Sequence, residues 1–416
     1  MGNLMTTKRM LACGGLLLIA GGGVLTAQNA AAPVARYEMR AGTISGMAGM
    51  RGGGMGAALG MAFGGGGGGA QHELWLELGS SRTAPDGKPK ADHFMPAGAR
   101  LGKSVALKTP ERTPPAPGEA HFERPTGRML IFWGCGEHAP KGQPVIIDFA
   151  KIAAGQMPPG LWSSAVPLDR YVTPANSRTY GQWPSDDGKS ARPESSLIGA
   201  HHIAGNYSPD INFTLTKDFM GALQGSSATQ PGGATLLRWN ALPGATGYHA
   251  SIIGGKQGAR GGNQPVDIVW WSSSATREFG GGLADWLAPS TVSRLVANRT
   301  VLSPQTTTCT VPAEVKQAAP DYMFGSIYAY GPEEDFAYPP RPADPRAAWK
   351  PEWTARIRHR SMTGFLVGME GYGAANGAQQ QQQRECQTKP KKRGLGGLGG
   401  LIGGALGAPA GGPDGC

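Results

Sequence analysis

The phrase "FWGCGEHAP", residues 132–140, sets a thiol, a carboxylate and an imidazole within four positions: Cys135, Glu137 and His138. A thiolate near an imidazole makes a nucleophile pair or two metal ligands. The spacing argues against both. A catalytic cysteine normally draws its base from a distant part of the chain, and three residues of turn give poor geometry for proton transfer. Zinc requires a second ligand pair, and His201 and His202 in "GAHHIAG" point to opposite faces of an extended strand. Cys135 and His138 are at most metal candidates, with hairpin-turn packing the plainer reading, and no cofactor is implied. No Gly-x-Ser-x-Gly turn is present. The acidic run Glu333, Glu334 and Asp335 reads as a solvated loop, so no catalytic constellation emerges.

Two binding patterns stand out. In "EWTARIRHRSMTGFLVGM", residues 352–369, a strand would put Arg356, Arg358 and Arg360 on one face and Trp353, Ala355 and Ile357 on the other. A guanidinium ladder suits bidentate contact with phosphate or carboxylate; the alternative is an edge strand charged to block aggregation. The second pattern is the stretch 161–193, an insertion holding Trp162, Tyr171, Tyr180 and Trp183 beside Asp186 and Asp187. Long loops of this kind are often functional, and such rings suit sugar stacking or peptide contact. They would equally serve to cover the open end of a sandwich.

Stepping outward, the ends of the chain differ from its middle. Of 416 residues, 67 are Gly and 34 Pro, and the net charge of +10 favours anionic partners. Residues 1–31 carry Lys8 and Arg9, an apolar run and a small-residue ending, the pattern of a secretory signal peptide. Cys13 precedes the apolar run, which argues against lipidation. Residues 32–70 read as a Gly/Met-rich flexible leader; its Met47, Met50, Met55 and Met61 are too irregularly spaced for a Cu(I) site. Residues 371–416 read as a disordered tail in which a Gln run is followed by Lys389, Lys391, Lys392 and Arg393. The 389–407 part could touch a membrane peripherally. Beyond Cys13, the four cysteines Cys135, Cys309, Cys386 and Cys416 permit disulfides without forming a staple framework. Cys135 and Cys309 read as small buried residues.

Between the ends, short strand-like runs alternate with Pro, Gly, Asp and Ser, the signature of an all-β sandwich or barrel. "HELWLELGS" puts Leu74, Leu76 and Leu78 on one face, while "GRMLIFWGCG" and "VIIDFAKI" could form a hairpin. Residues 71–225 make a first β-sandwich-like domain. Residues 228–370 make a second one, carrying the basic strand. In "ATLLRWNALPGATGYHASIIGG", Leu237 and Trp239 share a face, Pro243 and the glycines turn the chain, and Tyr248, Ala250 and Ile252 begin the return. "VDIVWWSSSA" and "TTTCTVPAEVKQAAPDYMFGSIYAYG" follow. Over about residues 228–345 this pattern resembles a fibronectin type III domain. The resemblance implies B, C, E and F strands, a tryptophan core anchor and an apolar corner at Tyr322, but no chemistry. Residues 283–302 depart from it, with the spacing of a short helix interrupted by Pro289.

These observations describe an exported, non-enzymatic protein of the periplasm or outer envelope of a bacterium. It would bind an anionic envelope component or another envelope protein, and nucleic acid is not expected after export. The rival reading is a secreted glycan- or peptide-active hydrolase with an accessory fibronectin-like domain.

Overall fold

Period-two alternation builds the centre of the structure. In Ala35–Gly46 (β1), Ala35, Tyr37, Met39 and Ala41 enter one core while Arg36, Glu38 and Arg40 take the opposite face. In Gln71–Ser80 (β2), Leu74, Leu76 and Leu78 do the same against Glu73, Trp75 and Glu77. The structure, a computed structural model, describes residues 32–49, 69–111, 127–156, 166, 169, 171–256, 267–344 and 346–368. The signal-like segment 1–31, Trp162, Cys386, Cys416 and the 371–416 tail lie outside these residues.

A nine-stranded sheet crosses both halves of the chain. Across it lie β6 (Val145–Asp148), β5 (Arg128–Trp133), β13 (Asp267–Ser272), β12 (Gly247–Lys256), β15 (Tyr322–Tyr338), β16 (Trp353–Leu366), β1, β2 and β7 (Thr179–Trp183). The pairs β16–β1 and β13–β5 are parallel, and the other neighbours are antiparallel. One face is covered by two smaller sheets. The first holds β4 (Ser104–Ala106), β3 (Ala91–Phe94), β8 (Gly199–Gly205) and β9 (Ile211–Leu215). Its core with β16, β1, β2 and β7 contains Tyr37, Leu76, Trp183, Ile203, Phe213 and Ile357. The second holds β10 (Gly225–Thr229), β11 (Thr235–Trp239) and β14 (Thr308–Val311). Its core contains Phe132, Trp239, Tyr248, Trp271, Val311 and Ile327. The fold is all-β, with two sandwich-like layers sharing one long sheet.

Among the described residues three α-helices punctuate it: α1 (Phe149–Ala153), α2 (Pro289–Ala297) and α3 (Ala313–Ala318). The outer face of the long sheet, opposite both cores, is partly covered by Gly281–Ala284 and α2. There Leu283, Leu287, Val292, Leu295 and Val301 pack with Tyr330.

Several expectations change. The flexible leader drawn over 32–70 contains β1, a fully paired interior strand. The glycines from Gly42 onward hid the clean alternation that begins at Ala35. The boundary at 225–228 is not followed by the sheets. The β5–β6 hairpin does form, with Arg128 opposite Asp148, but it joins the edge of β13 in the later part of the chain. Pro289 does not interrupt a helix; it occupies the first turn of α2, where its missing N–H has no partner to lose.

Leu237 and Trp239 are buried and Arg238 is exposed, the phase expected for β11. The Trp239 ring lies 5.8 Å from that of Tyr248. Trp239→Ala should therefore lower stability by about 3–5 kcal/mol in urea unfolding. An unchanged midpoint would mean the ring does not anchor this layer.

Candidate functional site

The arginine ladder has the expected phase, but it is not an open surface. Arg356, Arg358 and Arg360 project from the outer face of β16, and Arg358 is 4% exposed. Arg358 Nε donates to Glu333 Oε2 at 2.5 Å and its Nη1 to Asp169 and to the Trp286 carbonyl (2.7 Å). Arg356 bonds Glu38 Oε1 at 2.5 Å and Asp169 Oδ1 at 3.3 Å. Arg360 bonds Glu73 Oε1 at 2.9 Å and the Ala284 carbonyl at 2.7 Å, and lies 4.1 Å over the Trp286 ring. Each guanidinium is already answered by carboxylates from β1, β2, β15 or Asp169. The ladder is thus a fastening for the 283–286 cover rather than a docking strip for an external anion.

Strand register makes this grid. Glu38 lies opposite Arg356 on β1–β16, and Arg40 meets Glu77 Oε1 of β2 at 2.8 Å. Glu73 of β2 reaches Arg360 across the intervening β1 at Gly42, where an added Cβ would lie 2.5 Å from the Glu73 side chain. Burial raises the Glu38 and Glu77 carboxyls above the usual range, with Arg356 and Arg40 respectively opposing the shift. Burial, then Glu333, raises Asp335. For Arg358, burial works against the charge, but Glu333 and Asp169 outweigh it and raise its pKa.

The aromatic insertion is brought together only in part. Trp183 is a core residue of β7, 2% exposed, with Nε1 donating to Asp187 Oδ2 at 3.0 Å. Tyr180, also on β7, is buried within reach of Glu77 Oε1 (3.3 Å) and Gln182 Oε1 (3.0 Å). Half-buried Tyr171 donates to the Trp286 carbonyl at 3.2 Å. Tyr171 and Tyr180 therefore border the charge grid, and the three described rings do not form an exposed stacking platform.

Cys135 and His138 part company. Cys135 is disulfide-bonded to Cys309, tying the turn after β5 to β14, so neither cysteine is simply a small packed residue. The same turn is stitched by Gly136 N–H to the Thr310 carbonyl (2.8 Å) and Ala313 N–H to the Glu137 carbonyl (3.0 Å). Exposed His138 faces Glu314 at 3.3 Å. Among the described residues, no group of three His, Cys, Asp or Glu side chains could hold a metal ion.

Sequence reasoning missed the interior histidines. Tyr37 Oη, His93 Nδ1 and Nε2, His201 Nδ1 and Nε2, and the Leu197 carbonyl form a chain with steps of 2.7, 2.9 and 2.7 Å. Because the carbonyl only accepts, His201 donates from Nε2, His93 donates from Nε2, and the Tyr37 hydroxyl donates to His93 Nδ1. Alternation on β3 and β8 already turns both rings inward; their mutual contact depends on strand pairing. His249, on the outer face of β12, lies 3.4 Å from Ser272 Oγ beside a cavity of about 280 Å³. The pair suggests a serine nucleophile with its base. Two facts oppose this. Burial pushes the His249 pKa down to about 3, far below that of an efficient base at neutral pH. Its Nδ1 has no hydrogen-bond partner among the described residues, so the carboxylate that would orient a catalytic imidazole is missing there.

No family model matches the chain, and no curated protein matches it in sequence.

Two measurements follow from this geometry. Arg358→Met leaves Asp169 and Glu333 facing each other without their shared cation. It should cost about 3–5 kcal/mol in denaturant unfolding, whereas a loss under 1 kcal/mol would describe a solvent-screened pair. The second concerns acid. His93, His201, His249 and His359 are held below the ordinary histidine pKa mainly by burial, His359 at about 4. The unfolded chain therefore takes up protons first. Each histidine should remove about 1.4 kcal/mol per pH unit as pH falls from about 6.5 toward its folded value. The raised carboxyls Glu38, Glu77, Glu278 and Asp335 act in the opposite sense nearer their own range. The urea midpoint should be level from pH 8 to 7 and fall steeply below 6.5; a level midpoint down to pH 5 would contradict buried neutral rings.

Proposed function

We propose that this protein is an exported, non-enzymatic component of a bacterial envelope, working as a binding or assembly module. The observation that carries the reading is the Cys135–Cys309 disulfide, which closes 174 residues of chain. Such bonds persist mainly in oxidising compartments outside the cytosol. The signal-like pattern of residues 1–31 agrees with it, and the burial-depressed His249 and its unpartnered Nδ1 weigh against a Ser272–His249 hydrolase. We also read residues 228–345 as a relative of fibronectin type III domains. In immunoglobulin-type sandwiches, B and E share one sheet and C and F the facing one. The pairings β11–β14 and β12–β15 are in keeping with that division.

The anionic partner is assigned away from the ladder. Most of the net positive charge belongs to residues outside the described set, and the basic stretch Lys389, Lys391, Lys392 and Arg393 is its densest cluster. This cluster would meet an anionic envelope surface while the folded body engages a partner protein. The test uses the full chain with phosphatidylglycerol vesicles at low and high salt. Wild type should sediment at low salt and be released at high salt, since exposed attractions are screened beyond about 8 Å at physiological ionic strength. Replacing the four basic residues by Gln should abolish most of the binding. Equal sedimentation of both proteins would sink the anionic-partner assignment. Protein purified from its native cell should begin between Gln28 and Pro33, and an intact Met1 would count against export.

A further inference from the structure

The cavity beside Ser272 lies on the outer face of the long sheet, with His249, Trp270 and Ser272 lining it together with Glu278, Phe279 and Leu283. Its volume of about 280 Å³ is near the lower end for small-molecule pockets. Two of its lining residues hold buried polar atoms, His249 Nδ1 and Trp270 Nε1, that have no hydrogen-bond partner among the described residues. The protonation of His249 follows from its neighbour. Ser272 Oγ accepts the Ser274 N–H at 3.2 Å and sits 3.4 Å from His249 Nε2. Among the described residues His249 Nε2 is the one acceptor within reach of the Ser272 hydroxyl proton. The tautomer that satisfies the serine therefore has Oγ–H donating to Nε2 and the neutral ring's own proton on Nδ1. The indole nitrogen of Trp270 is also a donor. Two buried N–H groups without acceptors are costly unless something supplies the acceptors.

We infer that this cavity binds a small neutral molecule combining an apolar ring with oxygen acceptors of the carbonyl type, received by His249 Nδ1–H and Trp270 Nε1–H. The chemistry of the lining narrows the class. Among the described lining residues there is no Lys or Arg to meet an anion, and Glu278, itself 5% exposed, would repel one. A cation would face two N–H donors. A sugar would bring several hydroxyl donors, whereas Ser272 is engaged and Glu278 Oε1 already accepts from Thr276 at 3.1 Å. The Phe279 ring, edge-on to Trp270 at 5.7 Å, and Leu283 suit a flat apolar body. None of the residues named here belongs to the basic stretch 389–393, so the inference stands whether or not that stretch meets an anionic surface.

The experiment follows the indole N–H resonance of Trp270 in the full chain, identified by its disappearance in Trp270→Phe. Coumarin and chromone are the carbonyl probes; naphthalene, benzoate and methyl glucoside are the controls. The carbonyl probes should move the Trp270 resonance downfield in a saturable way, and the controls should not. Trp270→Phe and His249→Phe, followed by calorimetry, should each weaken binding of the carbonyl probe about five- to tenfold, as expected for one lost hydrogen bond. Trp270→Phe should not lower the unfolding midpoint, because it removes a donor that had no acceptor. His249→Phe also takes the acceptor from the Ser272 hydroxyl and should lower the midpoint while leaving the chain folded. The inference is overturned if neither carbonyl probe moves the resonance, if naphthalene or methyl glucoside binds as well, or if both folded variants bind like wild type.

Discussion

Arg358 sits between Glu333, Asp169 and the Trp286 carbonyl, and a guanidinium so enclosed has nowhere else to find its partners. Its neighbours Arg356 and Arg360 repeat the arrangement with Glu38 and Glu73. A buried ion pair often contributes little net stability compared with well-packed apolar residues, but losing one member is expensive. Its effect here is on geometry. Slipping β1 by one residue against β16 would turn Glu38 into the core and pull the Gly42 gap away from Glu73. The grid thereby holds β2, β1, β16 and β15 in one register. Through the Ala284 and Trp286 carbonyls it also holds the helical cover to the sheet.

The two sandwich-like layers use their shared sheet differently. The first buries a directed hydrogen-bond chain, Tyr37–His93–His201–Leu197, in which every ring nitrogen has a defined role. The second is apolar within, closed by Trp239, Tyr248 and Trp271 and tied at its rim by the disulfide. Its polar groups lie on the reverse face, where His249 and Ser272 border the cavity. A polar interior demands neutral histidines, and an apolar one leaves its unusual chemistry outside.

How much could be read in advance depended on range. Period two was enough to assign faces: Leu74, Leu76 and Leu78 inward, Trp239 inward with Arg238 outward, and the three arginines together. It could not identify the neighbour of each strand. The Arg356–Glu38 pair spans 318 residues of sequence, and the ladder reads as exposed until β1 and β15 are placed on either side of β16. The Cys135–Cys309 bond was hidden for the same reason. β1 was obscured differently, because a composition dominated by later glycines outweighed a correct alternation between Ala35 and Ala41. Cys135 and His138 are close in sequence and read at most as metal candidates in a packed turn; that turn sends one to Cys309 and the other to Glu314, and neither partner is visible in local spacing.

The parallel pairing of β1 with β16 has a kinetic consequence. β1 stands near the start of the described chain and β16 near its end, yet they are direct neighbours in the interior of the sheet, with β15 on the other side of β16. During synthesis β1 and β2 can meet early, and β12 can meet β15 later, but the β7–β2–β1 part of the sheet and the β15–β12–β13–β5–β6 part have no common strand until residues 353–366 emerge. Until then the edges of β1 and β15 stand open, each a template for unwanted pairing. Closing so long a loop is also intrinsically slow. The long sheet is therefore finished by its last described strand, and a chain held unfolded until it is complete avoids the period in which both edges lie bare.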